Sequence, residues 1–222
     1  MPPPSILILT ALEFEARPIA RALHLTLHRP SFSYSSPNSP VRLHVVGPRA
    51  IHLPTAPPSG SCRAVIMAGL AGALSPTLGF ADLALDDQST LPLLPSDDLP
   101  RLPFHTSPTP VSTPAEKRQL HLATGSHIVE MENAIARAWA ASHHLPFAGI
   151  RAISDTSCEL LHPATSRIID HRGQLRPLRL VSELLQHPPF LLHLLRLRKT
   201  SVAVDRLAQA VAAIAQSVAR ST

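Results

Sequence analysis

Two short runs of uninterrupted apolar residues constrain this chain more than any other feature: SILILT at 5–10 and AVIMAG at 64–69. A strand with one wet face alternates apolar and polar residues; a continuous apolar run of this length has no wet face. Such strands sit inside a parallel sheet with helices on both sides. Helical patterns stand between the strands, as that arrangement requires. ALEFEARPIARALHL (11–25) places Leu12, Ile19, Ala20 and Leu23 at helical spacing, with Pro18 limiting its first turn. ENAIARAWAASHH (132–144) does the same with Ala134, Ile135, Ala138, Trp139 and Ala141. VRLHVVG (41–47), HIVEM (127–131) and FAGIRAIS (147–154) read as further strands. AGALSPTLG (71–79) reads as a turn back into an edge segment, ADLAL (81–85). The fold expected is α/β: a central mixed, mostly parallel twisted sheet flanked by helices.

The chain has 222 residues, 45% of them apolar, enough for one domain with a full core. Its 24 prolines cluster, and so mark loops rather than argue against a fold. Residues 29–40 and 54–60 read as loops, and 86–114 as a long, mobile, Pro-rich excursion. A helical tail is expected over 178–222. Within it SVAVDRLAQAVAAIAQSVA (201–219) puts Val204, Leu207, Val211, Ile214 and Val218 on one face, with Ser201 as its N-cap.

Composition also excludes. A net charge of +5 is a mild bias and aromatics are 4%, too few for a base-stacking surface, so no nucleic-acid partner is expected. No apolar run reaches about 18 residues, so no membrane span is expected. The N-terminus has an apolar patch without a basic region before it, unlike a signal peptide. Cys62 and Cys158 form no CxxC and no disulfide framework, which suits a reducing, cytoplasmic setting. Thirteen scattered histidines show no HExxH spacing, so neither a metal nor a cofactor is expected. Ser154 lacks a GxSxG elbow.

Open α/β sheets bind ligands beyond the carboxyl ends of their strands. Polar residues stand at four such places: Glu13 and Glu15 after SILILTA, the turn Gly69-Leu70-Ala71-Gly72 after AVIMA, Glu130 and Glu132 around Met131, and Ser154-Asp155 after GIRAI. Acids at three separate strand ends can converge on one cleft. Singly, each has a plainer reading: Glu13 and Glu15 favour a helix N-terminus electrostatically, and Ser154-Asp155 can cap a helix.

Together, TALEFEA (10–16), AGLAGALSPTLGFADLAL (68–85), EKRQLHLATGSHIVEMENAIARA (116–138) and LPFAGIRAISDTS (145–157) resemble the purine nucleoside phosphorylase and nucleosidase superfamily. VEMEN and RAISD, in that order, are the specific part. The tail, with IDHRGQLRPLRLVSELLQHP (169–188) and LLRLRKTSVAVDRL (194–207), resembles the hopanoid-associated phosphorylase branch. The resemblance implies cleavage of an N-glycosidic bond. Asp155 matches the residue that protonates or hydrogen-bonds purine N7, Glu132 the carboxylate on the ribose hydroxyls, Met131 the methionine against the sugar, and Glu15 the acid that activates water. Ser154, Gly69 and Gly72 fall among the substrate-binding positions, and Glu13 becomes a surface or neighbouring residue. The substrate implied is adenosylhopane, losing adenine. The alternatives are 5′-methylthioadenosine or S-adenosylhomocysteine cleavage, and a non-catalytic nucleoside binder. Phosphate stays open as a co-substrate, and a homodimer is expected. Leucines interleaved with Arg196, Arg198 and Lys199 in 178–199 imply a peripheral membrane contact at a lipid-linked substrate.

The chain departs from the family pattern in several places. Leu70 replaces a Ser or Thr that touches the nucleophile or phosphate, Ala81 replaces the glycine before Asp82, Thr10 replaces a glycine, and Glu130 replaces an aspartate. Arg49, Lys117 and Arg118 are candidate anion contacts, with solvated surface charges as the plainer reading.

Overall fold

The computed structural model describes residues 5–28, 31–58, 62–92, 99–161 and 190–220, the side chains of 190–199 excepted. Ten strands form one mixed sheet among the described residues. They are β1 (Ser5–Thr10), β2 (Thr26–His28), β3 (Ser33–Ser35), β4 (Val41–Val45), β5 (Cys62–Ala73), β6 (Leu83–Asp86), β7 (Arg101–Leu102), β8 (Phe104–Thr106), β9 (Ile128–Glu130) and β10 (Phe147–Asp155). The helices are α1 (Glu13–Ala22), α2 (Pro114–Thr124), α3 (Asn133–Ser142) and α4 (Phe190–Arg220). The strand order is β2-β3-β4-β1-β5-β10-β6-β7, with β9 pairing both β5 and β8.

The two apolar runs lie where their chemistry demands. β1 is buried along its whole length and is flanked by β4 and β5, both parallel to it. β10 runs parallel on the far side of β5. β1, β5 and β10 therefore send their carboxyl ends the same way. β4 keeps one wet face: Val41, Leu43 and Val45 are buried and Arg42 is exposed.

Two apolar layers cover the sheet. On one side Ile6, Ile8, Ile66 and Ile150 pack with Ile19 and Ala20 of α1 and with Leu207, Val211 and Ile214 of α4. On the other, Leu7, Leu9, Val65 and Met67 pack with Ala136 and Ala140 of α3. Each fully buried Leu, Ile or Val contributes about 1.5–3 kcal/mol. Residues 200–220 are long and apolar enough to cross a bilayer by composition, yet their apolar stripe is the one packed on this sheet.

Several expectations change. α1 passes through Pro18 and stops at Ala22, after which His24 takes a positive φ of 54° and the chain enters β2. β3 forms inside the expected loop 29–40. β6 lies between β10 and β7 rather than at an edge. The expected excursion 86–114 carries β7 and β8. α3 buries Asn133, Ala136 and Ala140, while Ile135 is exposed, so its inner face is turned from the one expected. α4 begins at Phe190, which places Ser201 inside a helix instead of at its cap. The leucine-rich segment implicated in membrane contact lies mostly outside the described residues.

The largest correction concerns Gly69-Leu70-Ala71-Gly72. These residues form no turn; β5 runs straight through them for 12 residues. The chain turns only after Ala73, and Ala81 there takes a φ of 62°. A left-handed conformation costs an L-residue roughly 1–2 kcal/mol. A glycine would avoid that cost at this place.

Candidate active site

The carboxyl ends of β1, β5 and β10 bring the acids together. Glu15 stands in the first turn of α1, just past β1, and its carboxylate folds back over β5. Oε2 accepts the Leu12 N–H at 3.0 Å and Oε1 accepts the Leu70 N–H at 2.8 Å. A Cβ on Gly69 would lie 3.2 Å from Oε1, so the missing side chain clears the carboxylate's path. Glu15 is 2% exposed, and burial pushes its carboxyl up to about 7. The Leu70 and Leu12 N–H groups and Arg151 oppose that rise, and Glu132 adds to it.

The second acid pair flanks Met131, between β9 and α3. Glu130 is fully enclosed. Its Oε2 accepts from Arg151 Nη2 at 2.7 Å and from the N–H groups of Glu132 and Asn133 at 2.7 and 2.6 Å, and its Oε1 accepts from Thr106 Oγ1. Glu130 thus anchors the start of α3 and aims the Arg151 guanidinium. Glu132 is 7% exposed. It accepts the Arg49 N–H at 2.9 Å and stands 3.7 Å from Arg151. Burial raises its carboxyl above the usual range, Arg151 pulls it down and Glu130 pushes it up. Arg49 and Ala50, which follow Gly47, hold φ values of 60° and 51°, a strained turn that delivers this N–H. Met131 is half-buried between the two acids.

Arg151, in the middle of β10, is the charge around which these acids gather, and motif reading gave it no role of its own. It is wholly buried, and Nη1 donates to the carbonyls of Met67 and Ile150 at 3.2 and 3.3 Å. Nε has no protein partner among the described residues, and neither does the buried hydroxyl of Thr10. Buried polar atoms are seldom left so, and an ordered water or ion is a common partner for them. Arg151→Ala should lower the unfolding free energy by about 3–5 kcal/mol, because it strands Glu130 as an unpaired buried charge. Urea titration checks this, and a loss under about 1 kcal/mol would show the pair to be dispensable.

Asp155 ends β10 opposite Gly72 of β5. A Cβ on Gly72 would come within 3.0 Å of Asp155 Oδ2. The two glycines therefore make room for the two acids. Ser154 Oγ lies 2.7 Å from Asp155 Oδ1 and 3.2 Å from the Ala71 carbonyl, so its one proton serves one of them at a time. Lys117 of α2 is fully enclosed and donates to Asp155 Oδ2 at 2.5 Å. Its reading as a surface charge is overturned; of the two places expected for Glu13, surface or neighbouring the site, the surface one is excluded, since Glu13 is 3% exposed and paired with Arg17 at 2.8 Å. Arg49 and Arg118 do have exposed side chains. A separate cleft of about 220 Å³ at the β3–β4 edge, between Tyr34, Arg42, His44 and Pro54, holds no carboxylate.

No family model matches the chain, and no curated protein matches it in sequence. Solved structures do. The apo 5′-methylthioadenosine nucleosidase of Arabidopsis thaliana superposes with a TM-score of 0.63 at 14% identity, over 100% of this chain and 98% of that one. MTAN from Chlamydia trachomatis bound to adenine gives 0.62 at 19% identity, over 96% and 98%. Futalosine hydrolase of Helicobacter pylori gives 0.56 at 17% identity, over 70% and 86%. At these identities the likeness is one of architecture: the chain has the fold shared by the methylthioadenosine nucleosidases and futalosine hydrolase.

Proposed function

We propose that this protein is an enzyme that hydrolyses the N-glycosidic bond of an adenine nucleoside. The observation that carries the reading is the set of acids gathered where β1, β5 and β10 end: Glu15 and Glu132 about Arg151, and Asp155 at the last residue of β10. Glu15 covers Gly69 and Asp155 covers Gly72. The two glycines stand three strand steps apart, about 10 Å along β5. Glu15 serves the attacking water and Asp155 the departing base. A carboxyl pushed up to about 7 suits a general base at neutral pH. Arg151 Nε and the Thr10 hydroxyl are groups that can help hold the water. Glu132, beside Met131, is assigned to the ribose hydroxyls, where a charge-assisted hydrogen bond fixes the sugar. The fold, shared with nucleosidases, supports the same assignment.

Water is favoured over phosphate as the nucleophile. An anion at the end of β5 would draw on the Leu70 N–H, but that group is already given to Glu15. The Leu70 side chain offers no hydrogen bond in place of the family's hydroxyl. Adenine release should therefore be independent of phosphate within about twofold in dialysed buffer. A rate that climbs more than tenfold with phosphate would make the enzyme a phosphorylase.

Two readings of the 5′ substituent remain in play. The tail's resemblance to the hopanoid-associated branch supports adenosylhopane, met at a membrane surface. The neighbouring structures, named for methylthioadenosine, support a small substituent. Comparing kcat/KM for methylthioadenosine, S-adenosylhomocysteine and an adenosine with a bulky apolar 5′ extension separates them. A preference for the bulky substrate supports the lipid, and a strong preference for methylthioadenosine removes it.

A further inference from the structure

α2 docks on the protein in an unusual way. Its only buried residue is Lys117, and Leu122, its largest apolar side chain on the outer face, is 78% exposed. An apolar residue at 117 would seat the helix without the cost of taking an ammonium out of water. The charge is fully satisfied instead. Nζ donates to Asp155 Oδ2 at 2.5 Å, to the Thr156 carbonyl at 2.7 Å and to the Glu159 carbonyl at 3.1 Å. Three protons have three acceptors. Asp155 also accepts from Ser154 at its other oxygen. Nζ, 2.5 Å from the carboxyl assigned to the leaving base, therefore holds a proton toward it.

We propose that Lys117 supplies this proton to the departing purine through Asp155. The inference rests on the assignment of Asp155 to the leaving base. As the C1′–N9 bond breaks, its electron pair passes to the purine. Asp155 Oδ2 takes a proton from Nζ and passes it to a ring nitrogen of the purine. Lys117 is left as a neutral amine whose two remaining protons still match the carbonyls of Thr156 and Glu159. The attacking water bonds to C1′ and gives its proton to Glu15, and solvent exchange returns a proton to Lys117. Lys117 thus acts through Asp155 without touching substrate.

The test compares two leaving groups. Adenine needs a proton to depart, whereas 4-nitrophenolate does not. Lys117→Met should lower kcat on an adenine nucleoside by about 10²-fold or more, with kcat on the matching 4-nitrophenyl riboside held within about threefold. Lys117→Arg covers the case in which the methionine variant does not fold. Its guanidinium keeps the charge but cannot give up a proton, so the same selective loss is expected. Equal losses on both substrates would reduce Lys117 to a structural anchor of residues 156–159. Unchanged rates on both would also overturn the proposal. A wild-type protein inactive on both substrates would instead overturn the nucleosidase reading, and this inference with it.

Discussion

Asp155→Asn is expected to lower kcat on adenine nucleosides by about 10²–10⁴-fold. The amide can still accept one hydrogen bond, so the substrate's base finds a partner and KM moves little. What disappears is the route by which a proton reaches the base. Stability should fall by about 1–3 kcal/mol, because Lys117 loses its charged partner but keeps two carbonyls. Steady-state kinetics on the folded fraction, with a thermal melt alongside, separates the two effects. Near wild-type turnover in a folded variant would remove Asp155 from the chemistry.

Glu15→Gln is expected to abolish hydrolysis and, unusually for a site residue, to shift stability in the variant's favour as pH rises. In the folded protein burial pushes Glu15 from the ordinary 4.5 up to about 7. Below pH 4.5 folded and unfolded chains both hold this proton. Between 4.5 and about 7 the folded chain holds a proton that the unfolded chain has released, so stability falls as pH rises. Above 7 the loss is complete, about 3 kcal/mol for a gap of this size. Glutamine does not titrate. The difference in unfolding free energy between variant and wild type should therefore move toward the variant by about that amount from pH 4.5 to 8. The wild-type rate should rise over the same upper range, as Glu15 loses its proton and becomes a base. A pH-independent stability difference, or a variant that still hydrolyses its substrate, would refute the assignment.

The parts of the molecule visible in sequence are those whose cause is local. β1 and the first half of β5 announce burial on both faces by lacking polar residues, and α4 carries its stripe openly. The acids after β1, β9 and β10 could be found because ligand sites in such sheets lie at strand ends. What stayed hidden depends on partners distant in sequence. Gly69 and Gly72 read as turn residues because glycine usually marks a turn; here they clear space for carboxylates from α1 and β10. Lys117 reads as a solvated charge because its neighbours on α2 are polar, and only Asp155, 38 residues on, explains its burial. Arg151 passed as one letter of a motif because nothing in RAISD shows that Glu130 and Glu132 close over it. Strands of two or three residues such as β3, β7 and β8 carry too short a pattern to be read at all.

The central claim is that Glu15 and Asp155 divide one bond-breaking reaction between them. It is tested most directly by incubating the purified protein with methylthioadenosine and with a bulky 5′-substituted adenosine in phosphate-free buffer, and quantifying free adenine and released sugar by chromatography. The account predicts adenine and sugar in equal amounts from at least one substrate with the wild-type protein, and none above background with folded Glu15→Gln. Intact substrate after prolonged incubation with the wild-type protein, or equal adenine release by that variant, would contradict it.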